Sequence, residues 1–162
     1  MAIGTLKNPR YYSGPMPELD SFVAVDTKTW KAGEWCRIST AGGGRVRPLT
    51  TSSGQVLGIF ADSQATSTST STVKVYKITS TRTKFIGGLS LGAADVTAKK
   101  SMIGTKAFAH TASNVTTLVN SDTGVPIFNI VDVLWSKEPF RNDSGDLEVI
   151  FTIKSDSNLD VG

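Results

Sequence analysis

One cysteine, Cys36, and one histidine, His110, leave this chain short of the residues on which most metal and much enzyme chemistry depends. A lone cysteine excludes an internal disulfide, and one Cys with one His falls short of the usual zinc ligand set. Any histidine base would have to be His110. Leu, Glu and Lys are too sparse for long amphipathic helices, and no apolar run approaches the roughly 18 residues of a membrane span. The first ten residues carry polar and charged groups where a signal peptide needs an apolar core, so the chain is expected to be made in a reducing cytoplasm. Charge of one sign is also scarce. A net charge of +3 with scattered basic residues gives no footprint for nucleic acid, and solvated strand faces account for Arg45, Arg47, Arg82, Lys84, Lys99 and Lys100. Neither a membrane nor a nucleic-acid partner is expected.

What remains is Gly, Ser, Thr and Val, the composition of strands and turns. At 162 residues one domain buries enough apolar surface to fold without metal or disulfide. Residues 1–20 read as an extended arm, because Pro9, Pro15 and Pro17 with Gly14 break both helix and central strand. The arm nevertheless carries Leu6, Tyr11, Tyr12, Met16 and Leu19. Apolar groups on a segment without periodicity must be buried elsewhere, either across the chain's own core or on a neighbour.

From residue 21 the pattern is strand-like: 22–25, 34–39, 45–49, 55–61 and 73–79, the last alternating with Val73 and Val75 on one face. Between them, 63–72 is almost pure Ser/Thr and reads as a low-complexity loop with nothing to pack. The second half offers strands at 105–110, 115–119, 125–134 and 147–154. One or two helical turns fit 93–100, and 155–162 is a polar tail. Gly33 and Gly54 enclose a hairpin and a turn, as Gly104 and Gly124 do, a faint duplication over 21–80 and 83–154. The expected fold is all-β: one antiparallel barrel or sandwich over 21–154, with an extended N-terminal arm and a faint internal repeat.

Candidate chemistry is thin. Gly88-Leu-Ser90-Leu-Gly92, followed by Asp95 and His110, fits a nucleophile elbow, but such an elbow needs a strand, turn and helix on a parallel sheet. A glycine-flanked connector is the better reading. Asp20, Asp26 and Asp62 lie at strand ends as turn formers. Gly42, Gly43 and Gly44 precede a strand, not the helix a phosphate cradle requires. Asn114 and Asn142 match glycosylation sequons without a route to secretion. No catalytic, cofactor-binding or metal-ligating residue is assigned. Trp30, Trp35 and Trp135 read as closing a barrel end or anchoring an interface rather than stacking on sugars. The expected interface residues are Leu6, Tyr11, Tyr12, Met16, Trp30 and Trp35.

The organisation is similar to tailed-phage capsid decoration (cement) proteins. The resemblance rests on the arm with Tyr11, Tyr12 and Gly14, then Trp30-Lys-Ala-Gly33 and its hairpin. It continues with Gly54-Gln-Val-Leu-Gly-Ile-Phe60, the Gly104 hairpin and the closing strand. It implies a homotrimer on the exterior of a virion, bound to the major capsid protein and clamping neighbouring capsomers, with no catalytic residues and no cofactor. The long Ser/Thr loop departs from that pattern. A tail or fibre adaptor, or a carbohydrate-binding module using Trp30 or Trp135, are the alternative readings.

Overall fold

The computed structural model describes residues 8–39, 43–49, 55–68, 70–90, 103–112, 115–119, 126–134 and 147–154, and all the secondary structure in them is β. In chain order the strands are β1 (Arg10–Ser13), β2 (Glu18–Val23), β3 (Trp35–Ile38), β4 (Val46–Pro48), β5 (Gly58–Phe60) and β6 (Thr72–Lys77). They continue with β7 (Lys84–Ser90), β8 (Lys106–Ala112), β9 (Val115–Val119), β10 (Phe128–Leu134) and β11 (Leu147–Ile153). The helix expected over 93–100 and the tail over 155–162 lie outside the described residues.

The strands make two antiparallel sheets packed together in sandwich-like fashion, and each sheet curls back toward its first strand. In one, the order is β2-β6-β5-β3-β4. Just beyond β2, Ala24 bridges Val46 in parallel, and Val25 N–H donates to Val46 O at 2.9 Å. In the other, the order is β1-β7-β11-β10-β8-β9, and β9 returns to pair in parallel with the end of β7 through Leu89–Leu118 and Ser90–Val119, which makes a ring of the five strands after β1. These two pairing rings have the same topology.

The repetition extends to single hydrogen bonds. Gly33 N–H donates to Phe60 O, and Gly104 N–H donates to Ile130 O, each at 2.8 Å. Both glycines have φ near +85°, a conformation that side chains resist. Leu57 N–H reaches Cys36 O as Ile127 N–H reaches Ala107 O, and Ile78 N–H reaches Leu57 O as Lys154 N–H reaches Ile127 O. Gly33 and Gly104 therefore mark the same point in one five-strand plan used twice.

Each half has its own core. Ala24, Trp30, Cys36, Val46, Leu57, Phe60, Val73 and Val75 fill the first. Strand β6 shows why it forms: Val73 and Val75 are buried while Thr72, Lys74 and Tyr76 face outward, the period of a half-buried strand. The second core holds Phe85, Phe128, Ile130, Val149, Phe151 and Ile153, and it also receives Trp35 from β3. Trp35 and Cys36 are consecutive, so they point to opposite faces of the first sheet. Cys36 enters its own core, while Trp35 crosses to the other. Its ring lies 4.9 Å from Phe85 and 5.6 Å from Phe128, both edge-on. Leu49, Val56 and Ile78 of the first half enter the same core, so several side chains join the halves and Trp35 is the largest of them.

Candidate interaction surface

The N-terminal segment is built into the fold from residue 8 onward, and the boundary expected at residue 20 falls inside β2. Strand β1 pairs with β7 through Arg10–Ile86, Tyr11–Phe85 and Ser13–Lys84. Pro9 O accepts the buried indole N–H of Trp35 at 3.0 Å. Gly87 of β7 has no room for a side chain, because a Cβ there would stand 2.9 Å from Pro9 Cβ and Cγ. Thr83 Oγ1 donates to Pro15 O, and Tyr11 Oη donates to Gly14 O. Over residues 9–15, then, the segment straps the chain's own second half.

The expected interface residues separate accordingly. Trp35 is wholly buried at the junction of the halves, and Trp30 is buried in the first core, its ring stacked on Phe60 at 4.4 Å. The Trp30 indole N–H is taken by Asp62 O. Neither ring has a face left for a partner or a sugar, which corrects the assignment of both to an interface: apolar rings of this size are worth more inside a core than on a rim. Tyr11, Tyr12 and Met16 stay exposed, Met16 at 70%. Leu6 and Trp135 lie outside the described residues.

The Ser/Thr segment is also corrected. It packs along residues 25–32 and closes the first core over Trp30. Trp30 and Gln64 exchange backbone hydrogen bonds, and Ser63 Oγ accepts from Ala32 N–H. Ser67, nearly fully buried, accepts Lys28 N–H on its hydroxyl and donates that hydroxyl to Val25 O. Thr27, in a left-handed conformation at φ 57°, donates its N–H to Ser67 O. Short polar side chains serve here as backbone partners, so the low complexity is chemical use and not an absence of packing.

One row of residues distinguishes the two halves. Across the first sheet, register sets Trp35 beside Ile59, Ile59 beside Tyr76, and Tyr76 beside Leu19. All four share one face. The corresponding row in the second half begins Lys106, Asn129, Thr152, the polar outward row expected of a curled sheet. Trp35 and Ile59 are covered by the second core. Tyr76 is 44% exposed and Leu19 53%, with Val23 on the same face and Met16 in the preceding loop. An apolar row thus runs out from under the second half into the open.

Beside this row lies a second departure. Arg37 and Arg47 stand directly opposite each other on β3 and β4, and the Nε of each is buried without a hydrogen-bond partner. Solvated strand faces do not describe Arg47 as expected. Burial, with Arg47 alongside, lowers the pKa of Arg37.

Only the first part of the apparent elbow, as far as Ser90, lies within the described residues. Ser90 is the last residue of β7 opposite Val119, so the glycine-flanked segment is strand as far as Ser90 and not a connector. Strand β7 pairs antiparallel with β1 and β11, and in parallel with β9 only at Leu89 and Ser90. His110 lies in β8 opposite Thr117, and Asp95 is outside the described residues. No cluster of three or more His, Cys, Asp or Glu able to hold a metal occurs among the described residues. Cys36 is fully buried, and burial first, then Glu34, pushes its thiol well above the ordinary range. No helix among the described residues is long and apolar enough to cross a membrane. No protein-family model matches the chain, and no curated protein is significantly similar to it.

Proposed function

We propose that this chain is a structural protein of a tailed-phage particle, a homotrimer that sits outside the head and clamps neighbouring copies of the major capsid protein. It carries out no catalysis in this reading. The observation that supports it is the open apolar row of Tyr76 and Leu19, with Val23 beside them, on an otherwise ordinary β surface. An exposed patch continuous with a buried interface is a place for another surface to sit. The row already seats one curled sheet of this chain at its Trp35 end. A second copy supplies the same kind of surface for the open end, and a head-to-tail contact of that type closes into a ring. The carbohydrate-binding alternative loses Trp30, which is buried, while Trp135 lies outside the described residues.

The test is the oligomeric state together with attachment. Light scattering at micromolar concentration is expected to give three chains, and the protein to co-sediment with empty heads. The paired change Leu19→Lys and Tyr76→Lys is expected to give monomers with an unchanged circular dichroism spectrum. A wild-type protein that is monomeric with and without heads, and does not sediment with them, refutes the proposal.

A further inference from the structure

We infer that Arg37 and Arg47 form a two-pronged oxyanion-binding site on the outer face of the β3–β4 pair. The two residues are direct cross-strand partners, where like charges destabilise a sheet. Each also keeps a buried Nε–H with no acceptor, which costs the desolvation of that donor. The ion pairs among the described residues, Arg10–Glu148 and Lys77–Asp20, involve neither. The repeat supplies an internal control. Since Cys36 corresponds to Ala107 by its hydrogen bond, the pair equivalent to Arg37–Arg47 is Phe108–Val119, an ordinary apolar cross-strand pair. The first half has replaced it with two guanidinium groups that repel each other and leave donors unmet.

One ligand chemistry removes both costs. A carboxylate or a phosphate offers two or more oxygens, places negative charge between the guanidinium groups, and accepts the forked N–H geometry that arginine presents. Both residues are partly exposed, so such a group reaches the guanidinium groups from solvent, and a rotation of each side chain brings its buried Nε–H to the ligand. The lowered pKa of Arg37 agrees with a site that is electrostatically unsatisfied when empty.

The experiment uses the full chain at pH 7 in sodium chloride, sodium phosphate and sodium acetate of equal ionic strength. Inorganic phosphate is expected to raise the thermal midpoint over chloride by roughly 2–4 °C, the effect of one charge-assisted contact in a chain of this length. Arg47→Gln is expected to abolish that gain and, in chloride, to raise the midpoint, because it removes the repulsion. In the wild type, phosphate should shift the Arg37 and Arg47 Nε–H resonances in proton–nitrogen spectra, a readout that holds if a variant fails to fold. A matching gain with acetate supports the site and shows that it takes carboxylates as well as phosphates. A gain with phosphate alone supports it and identifies a phosphate. Stabilisation that persists in both Arg37→Gln and Arg47→Gln is general salt exclusion and overturns the inference. So do unmoved Nε–H resonances.

Discussion

Adding one methyl group at Gly87 tests whether the N-terminal segment is a strap on this chain's own core. A Cβ at 87 would lie 2.9 Å from both Pro9 Cβ and Cγ and 3.2 Å from Pro9 Cα. Carbon atoms in ordinary contact stand about 3.5–4.0 Å apart, so strap and strand must separate by roughly 0.6–1 Å. The proline ring cannot rotate away as a flexible side chain would. The chain therefore has two options. It keeps the strap and carries overpacking strain of about 1–3 kcal/mol. Or it lifts the strap and loses the Trp35 Nε1–H to Pro9 O bond, leaving a buried donor unmet at about 1–3 kcal/mol. These are alternatives, not a sum. Against either stands a gain of about 0.4–1 kcal/mol from the stiffer unfolded chain. The net expectation for Gly87→Ala is a loss of about 1–2 kcal/mol, or roughly 2–8 °C in Tm. Urea unfolding followed by tryptophan fluorescence measures it. Pro9→Gly removes the two nearest atoms, Cβ and Cγ, and keeps the carbonyl and the Cα at 3.2 Å, so in that background Gly87→Ala should cost much less than in the unaltered chain. If Gly87→Ala stabilises the otherwise unaltered chain, Pro9 does not lie over β7 and the reasoning fails.

Ser67→Ala should destabilise by about 1–3 kcal/mol in the same assay, since Lys28 N–H and Val25 O both lose their partner, whereas an unpacked polar loop would tolerate the change. Cys36 should resist alkylation in native buffer at pH 8 and react only in denaturant, because burial holds its thiol protonated; rapid labelling of the folded protein would contradict the packing of the first core. Asp20 accepts Ser21 N–H and then pairs with Lys77, so its folded pKa lies below 3.8. A depressed carboxylate stabilises the fold above its unfolded value and loses that contribution as pH falls through the folded one. Carbon-detected titration should place its midpoint below 3.8, and Lys77→Met should move it upward without fully restoring the ordinary value, because the Ser21 N–H remains. A midpoint unchanged by Lys77→Met would remove the ion pair from the argument.

Much of the fold was legible because strands carry a period of two. Val73 and Val75, and likewise Val149, Phe151 and Ile153, announce buried faces without reference to anything distant. The similar spacing of Gly33 and Gly104 from Gly54 and Gly124 pointed to the duplication, since a turn that needs positive φ, as at Gly33 and Gly104, writes itself locally as glycine. Strand β7 was missed for the opposite reason. Its two internal glycines weaken its own preference for extended structure, and it forms because β1, β11 and β9 hold its edges. The Ser/Thr segment misled in the same way, since serine and threonine have no periodic signature when they serve as acceptors for another segment's backbone. The open row and the arginine pair left no trace in sequence order: Leu19 and Tyr76 are far apart along the chain, and like charges ten residues apart look solvated until register sets them face to face.

Composition and alternation alone therefore determined an all-β chain, its main strands and its repeated plan, because each is fixed by the residues within a few positions. Only the tertiary structure decided that Trp35 serves the other half's core, that Pro9 lies on Gly87, and that one sheet face continues apolar into solvent. Those outcomes depend on which strand edges meet and on what covers each face. Both are set by the packing of distant segments, and no local pattern encodes them.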